Sequence, residues 1–143
     1  SQLTVITMHK AKGLDWDMVF IPFLHENMIP GSLYVPPQAK FLGDFTLSEV
    51  ARAQIRAIVH DTVIPDIATA WQRAEYLKTA EEFRLLYVAM TRAKQLLWMS
   101  AAKRAPFSWN KAENLDDRKP CPVIPALKSR FPDSVMDDDD VDF

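Results

Sequence analysis

Two short apolar runs open the chain, Leu3 to Met8 and Met18 to Leu24, and neither alternates cleanly with polar residues. Both are rich in β-branched or bulky apolar side chains. Together these features predict two strands covered on both faces. Pro22 would cost the second strand a ladder bond unless it lies near the strand end. Nine residues separate the runs. His9 to Gly13 has room for one helical turn, which is shorter than a normal crossover helix and marks the connection as a functional-loop candidate. Residues 27–45 carry Pro30, Pro36 and Pro37 with Gly31 and Gly43 and predict a long loop. Thr46 to Glu49 then has a capping-box pattern. Behind it Leu47, Ala51, Ile55, Ile58 and Val59 recur at helical spacing, predicting a helix to about His60. Pro65 suits the first turn of another helix through Trp71 and Leu77. Thr79 to Glu82, a second capping box, opens or restarts a helix through Arg92. Gln95 to Ser100 predicts a third strand. After Lys103 the pattern degrades: Pro106, Pro120, Pro122, Pro125 and Pro132 punctuate a polar stretch, with a short helix near Ile124 to Phe131. Asp137 to Asp140 with Asp142 form an acidic end expected to be solvated and disordered. Strands alternating with helices place the chain in the α/β class.

Composition changes this picture little. The 143 residues are 48% apolar and 25% charged, enough for one domain with a core. A net charge of −2 argues against a dedicated basic nucleic-acid module while leaving room for a local basic strip. No apolar stretch nears the roughly 20 residues of a membrane-spanning helix, and no signal-peptide pattern is present. The chain begins inside an apolar run, as though cut from something longer. A single cysteine, Cys121, predicts a reduced, cytoplasmic protein. Gly13, Gly31 and Gly43 are followed by Leu14, Ser32 and Asp44. No Gly-Lys pair exists, so this sequence holds no phosphate-cradling P-loop.

Two segments carry the candidate chemistry. In the first, Thr7, His9, Lys10 and Lys12 would sit at the carboxyl end of the first strand, where ligands gather in open α/β sheets. A hydroxyl, an imidazole and two ammonium groups suit phosphate oxygens, and Gly13 lets a backbone come close. The plainer reading is a solvated basic loop with Gly13 as a helix stop, and a partly buried His9 bonded to backbone. Trp16 reads as a large core residue. In the second segment Phe83, Leu86, Met90 and Ala93 form an apolar stripe that packs on the sheet. Arg84 and Thr91 share another face with Tyr87 and Val88 between them. The plainer readings are a surface pair of Arg84 with Glu81 and a cation, Arg92, at a helix C-terminus. Trp71, Trp98 and Trp109 read as core or packing residues rather than base-stacking platforms.

The run from Thr7 to Asp17 and the run from Glu81 to Lys94 resemble motifs V and VI of superfamily 1 helicases of the UvrD/Rep type, in the right order. The resemblance implies a partial RecA-like, P-loop NTPase-like parallel sheet with flanking helices, incomplete at its N-terminal side and lacking its own P-loop. It implies a motor-domain piece over residues 1–104, with the loop and helices of 27–80 inserted between the motifs and a Pro-rich extension over 105–143. Thr7, His9 and Lys12 would lie along the single-stranded DNA track. Gly13, Asp15 and Arg92 would face nucleotide. Arg92 would be the arginine finger, and Arg84, Tyr87 and Thr91 would support it. The family usually has glutamate where Asp15 stands, so a water is expected to bridge the shorter side chain to its target.

By the same resemblance the parent protein is an ATP-dependent DNA helicase or translocase of DNA repair type, moving 3′ to 5′. ATP with Mg²⁺ would be bound mainly by a first motor domain, with none held by this chain alone. Single-stranded DNA and that first domain would be its partners. Two other readings stay open: the equivalent piece of a recombination-type helicase–nuclease, and a non-catalytic α/β interaction domain.

Overall fold

The computed structural model describes residues 2–106 and 109–136; the acidic end at Asp137–Asp140 and Asp142, and the side chains of Phe41 and Trp109, lie outside the described residues. The described chain is mixed α/β. Its main sheet has two parallel strands, β1 (Trp16–Ile21) and β2 (Ala93–Met99). They are joined through α1 (Leu47–Val59) and α2 (Ile67–Met90). A second, antiparallel pair follows, β3 (Arg104–Pro106) with β4 (Leu115–Asp117), and then α3 (Val123–Arg130). Among the described residues no helix is long and apolar enough to cross a membrane.

In the parallel pair Trp16 stands against Ala93 and Ile21 against Met99, with a bulge between Trp16 and Met18. β1 ends before Pro22, so the proline costs no ladder bond inside the strand. The predicted strand at Leu3 to Met8 is not formed. Residues 2–7 are irregular, and Met8–Ala11 is a 3-10 turn. The reason is that a strand is made by pairing. No described strand lies beside this segment, and Leu3 and Val5 are more than four-fifths exposed. The expectation of strands covered on both faces fails for β1 too, where Met18 and Phe20 are exposed.

The two predicted helices before the third strand are a single 24-residue helix, α2. Its true start is one residue past Asp66, whose Oδ1 accepts the Thr69 backbone N–H at 2.7 Å. That hydrogen bond, the first cause, holds the Asp66 carboxyl below its ordinary pKa. Pro65 therefore precedes the cap instead of entering the first turn. Glu82 of the supposed second capping box lies inside the helix, 3.6 Å from Lys78. The first capping box does not close either. Thr46 makes no side-chain cap bond, and Glu49 turns to Arg52 at 2.6 Å. In α1 the stripe Leu47, Ile55, Ile58 and Val59 is exposed, and the buried face runs through Val50 and Ala57.

The chain divides into two compact units. One takes the described residues up to Ile29 and those from Leu86 on; its core holds Ile21, Leu24, Ile29, Leu86 and Cys121. Burial of a leucine such as Leu24 or Leu86 contributes roughly 1.5–3 kcal/mol. The other unit, Pro30–Leu85, buries Val50, Ala57, Ala70 and Ala74. The division falls inside α2, so Leu86, Ala89 and the residues after the helix belong with the sheet.

Candidate functional site

The two motif-bearing segments meet at the amino-terminal edge of the parallel sheet. Each runs directly into a strand, the first into β1 and the second into β2. Trp16 donates its backbone N–H to the Arg92 carbonyl at 3.0 Å, which locks the starts of the two strands together. Side chains follow the backbone. Arg92 Nη1 lies 3.2 Å from Asp15 Oδ1, joining residues 77 apart in sequence. The same guanidinium donates through Nε to the Val88 carbonyl at 3.1 Å and through Nη2 to Thr91 Oγ1 at 3.3 Å. Thr91 Oγ1 donates in turn to the Val88 carbonyl at 3.0 Å.

Arg92 thus lies against the open end of α2, where carbonyls lack intrahelical partners and the helix dipole favours a cation. This is the plainer reading of the sequence made concrete, with one addition that spacing could not show. Asp15 is a second anchor. The Arg92 side chain is 26% exposed and that of Asp15 50%, so the pair is wet and contributes no more than about 1 kcal/mol. Three directions of the guanidinium fork are engaged. The group carries five donors, of which three are used, and among the described residues its remaining N–H groups meet no acceptor.

The turn between Thr7 and Asp15 is short and exposed. Lys10 N–H reaches the Thr7 carbonyl at 3.0 Å and Leu14 N–H the Ala11 carbonyl at 3.1 Å, with Ala11 as the buried pivot. Gly13 has φ +81°, the left-handed region, and a Cβ there would meet nothing within 4 Å. Glycine is required by backbone conformation, not by a close neighbour. Thr7, His9, Lys10 and Lys12 are all exposed. The expected placement at a strand's carboxyl end is corrected: they lie on a 3-10 turn that leads into the amino end of β1. Trp16 is half-buried, and Trp98, 42% exposed on β2 opposite Phe20, is not in the core.

Of the expected stripe, Phe83, Leu86 and Met90 lie on α2 and are at least partly buried, with Leu86 1% exposed, while Ala93 falls past the helix as the first residue of β2. Tyr87 stands out at 66% exposure. Arg84 forms a two-pronged pair with Glu81, at 2.9 Å and 2.7 Å, which raises the guanidinium pKa above its ordinary value. It is not joined to Thr91 or Arg92 by any hydrogen bond among the described residues.

A group that sequence reasoning missed is His25, 3% exposed just beyond β1. Its Nε2 accepts the Ala102 backbone N–H at 3.0 Å. Burial, first, and the nearby Arg118 charge, second, hold its pKa below 6.5. The flanking backbone is a clamp: Leu24 N–H to the Ser100 carbonyl, Cys121 N–H to the Leu24 carbonyl and Glu26 N–H to the Lys119 carbonyl, each at 2.8 Å. The only signal in the sequence was an imidazole following an apolar run.

Comparison with known proteins gives a consistent picture. The family model for the UvrD-like helicase C-terminal domain matches residues 1–104. The RecB subunit of the RecBCD enzyme of Haemophilus influenzae is 31% identical over 107 residues, 74% of this chain and 8% of that protein. The ATP-dependent DNA helicase srs2 of Schizosaccharomyces pombe is 31% identical over 127 residues, 89% of this chain and 9% of that protein. An ATP-dependent helicase/nuclease subunit of Geobacillus thermodenitrificans is 36% identical over 100 residues, 68% of this chain and 8% of that protein. The chain spans less than a tenth of the length of these three relatives.

Proposed function

This chain belongs to the UvrD-like helicase C-terminal domain family, and on that footing we propose that it is part of the second, RecA-like motor domain of an ATP-dependent DNA helicase. In this reading residues 1–104 are the motor piece, 27–80 are inserted between its two motifs, and 105–143 extend it. A first motor domain holds ATP with Mg²⁺. Arg92 is the arginine finger that reaches the γ-phosphate, and Gly13 and Asp15 line the same side of the nucleotide. Thr7, His9 and Lys12 lie along single-stranded DNA, and closure on ATP moves that turn 3′ to 5′ along the strand.

The observation that carries this reading is the contact of Asp15 with Arg92 at 3.2 Å. It supports the reading because it joins the turn that would meet DNA to the arginine that would face phosphate, at the start of the same two paired strands. A guanidinium suits the finger because it is always charged and forks onto phosphate oxygens. The helicase/nuclease relative favours a second form of the same reading, in which the parent also carries a nuclease.

The test is single-turnover ATP hydrolysis by a protein that joins this chain to a first motor domain. Arg92→Ala should slow hydrolysis about 10³–10⁵-fold, the usual worth of an arginine finger, while nucleotide affinity changes far less. Turnover near wild type would remove Arg92 from the role and leave Arg84 as the next residue to try. This chain alone should not turn over ATP, since it has no Gly-Lys pair.

A further inference from the structure

We infer that the groove between α1 and α2 is a second contact for the sugar–phosphate backbone of a nucleic-acid strand, separate from the motif turn. The groove has a volume of about 690 Å³ and lies wholly within the Pro30–Leu85 unit. α1 supplies Arg52 and Arg56 to its wall, one turn apart on one face, and α2 supplies Arg73 and Lys78. Two carboxylates also line it, Glu49 and Glu81, and both are already engaged. Glu49 pairs with Arg52 at 2.6 Å and Glu81 with Arg84 at 2.7 Å. Lys78 is held by the Pro30 carbonyl at 2.7 Å and by Glu82. What remains uncompensated is the guanidinium of Arg56 and that of Arg73, which have no hydrogen-bond or ion-pair partner among the described residues.

Two guanidiniums from different helices therefore open into one groove of a chain whose net charge is −2. Local positive charge against a negative whole is the footprint of an anion site, not of general basicity. The floor decides which kind. It is made of Ala53, Ala57, Ala74, Leu33 and Leu77. Alanines leave room, the one ring on the lining is the exposed His60 imidazole, and the one hydroxyl, Thr62, is spent on the Ala57 carbonyl at 3.2 Å. With a single imidazole at its rim, the lining offers no row of rings for successive bases and no set of donors and acceptors to read their edges. The site fits a phosphate chain held by charge, without sequence preference. The inference extends the proposed partnership with DNA, yet it uses none of the motif residues.

The experiment uses the whole chain with a fluorescent single-stranded oligo-dT probe, read by anisotropy over a salt series from low ionic strength. Arg56→Glu with Arg73→Glu should weaken binding tenfold or more, and the logarithmic salt slope should fall by about 0.7 for each lost phosphate contact. Arg56→Lys with Arg73→Lys should keep most of the affinity. Lys119→Glu with Arg130→Glu, two exposed positions outside the groove, is the control matched in net charge and should stay within twofold. Far-UV circular dichroism guards against unfolding, and the lysine pair keeps the test valid if the glutamate pair misfolds, since neutral Arg56→Gln with Arg73→Gln must then fall below it. Separate His9→Ala and Lys12→Ala variants report on the motif turn: if they alone abolish binding, the DNA-track reading stands and the groove fails, and the converse supports the groove against the turn. No binding by the wild type at low salt overturns the inference. So does tight binding of polyglutamate in place of oligo-dT, which would make the groove a protein-docking site.

Discussion

At the residue scale the informative pair is Asp15 and Arg92. Each was visible in the sequence by resemblance to a motif, and the family match over residues 1–104 bears that resemblance out. Their contact was not visible, because spacing cannot bring together residues 77 apart. The aspartate in place of the usual glutamate also gains a meaning: the short carboxylate reaches the guanidinium directly. Asp15→Asn keeps the shape and removes the charge. It should leave folding intact, because a half-exposed pair is worth about 1 kcal/mol at most. In the joined protein it should lower kcat more than it raises KM for ATP, because the fork loses one anchor and samples more positions. Asp15→Glu should recover much of the rate. Equal loss in both variants would mean that Asp15 does something other than position Arg92. Thr7→Ala and His9→Ala, on the exposed turn, should reduce the stimulation of ATP turnover by DNA more than basal turnover. Normal stimulation in both, with normal salt-dependent affinity, would remove them from the DNA track.

At the element scale the sequence was most legible where local chemistry decides the outcome. The helix at Leu47–Val59, the strand preceding Ser100 and the short helix near Ile124 were all readable from periodicity and punctuation. The strand at Leu3 to Met8 was not, because apolar content marks a segment fit for a sheet and cannot supply the neighbour that makes it a strand. The capping boxes failed for a related reason. Glu49 and Glu82 each found a cation one turn away, which competes directly with a backbone N–H. The turn before β1 gives a clean test of local strain. Gly13→Ala adds a methyl that meets nothing within 4 Å, at φ +81°. Its cost is therefore conformational alone, about 1–2 kcal/mol for a β-carbon in the left-handed region. Gly13→Asn should cost less, since asparagine tolerates that region. Denaturant midpoints of the two variants give the comparison, and an alanine variant as stable as wild type would show that the turn has relaxed to another conformation.

At the scale of the whole molecule, stability should depend on pH through His25. The ring is 3% exposed, beside Leu24 and Cys121 in the core that closes the sheet end. Nε2 accepts the Ala102 N–H at 3.0 Å, so the native ring is neutral with its proton on Nδ1. A proton on Nε2 would set two donors against each other. Burial and the Arg118 charge act in the same sense, and the native pKa lies below 6.5. The unfolded chain, with an ordinary imidazole, takes up its proton near pH 6.5. In the interval below that value the unfolded state binds more protons than the native one, so stability rises with pH there. The stabilisation is complete above pH 6.5 and is lost as pH falls through that value toward the depressed native pKa. His25→Gln keeps an acceptor for Ala102 and cannot titrate. Its melting temperature should be lower than wild type at neutral pH, from imperfect packing, yet should fall less steeply as pH drops below 6.5. His9 and His60 are exposed and remain in both proteins, so they cancel in the comparison. Cys121 provides a second readout: buried, with its thiol pKa raised chiefly by that burial, it should resist alkylation in the native state. As pH drops, alkylation measured after a brief return to neutral reagent should appear in wild type before it appears in His25→Gln. Parallel melting curves and parallel alkylation across the interval would show that the imidazole is no part of what acid undoes.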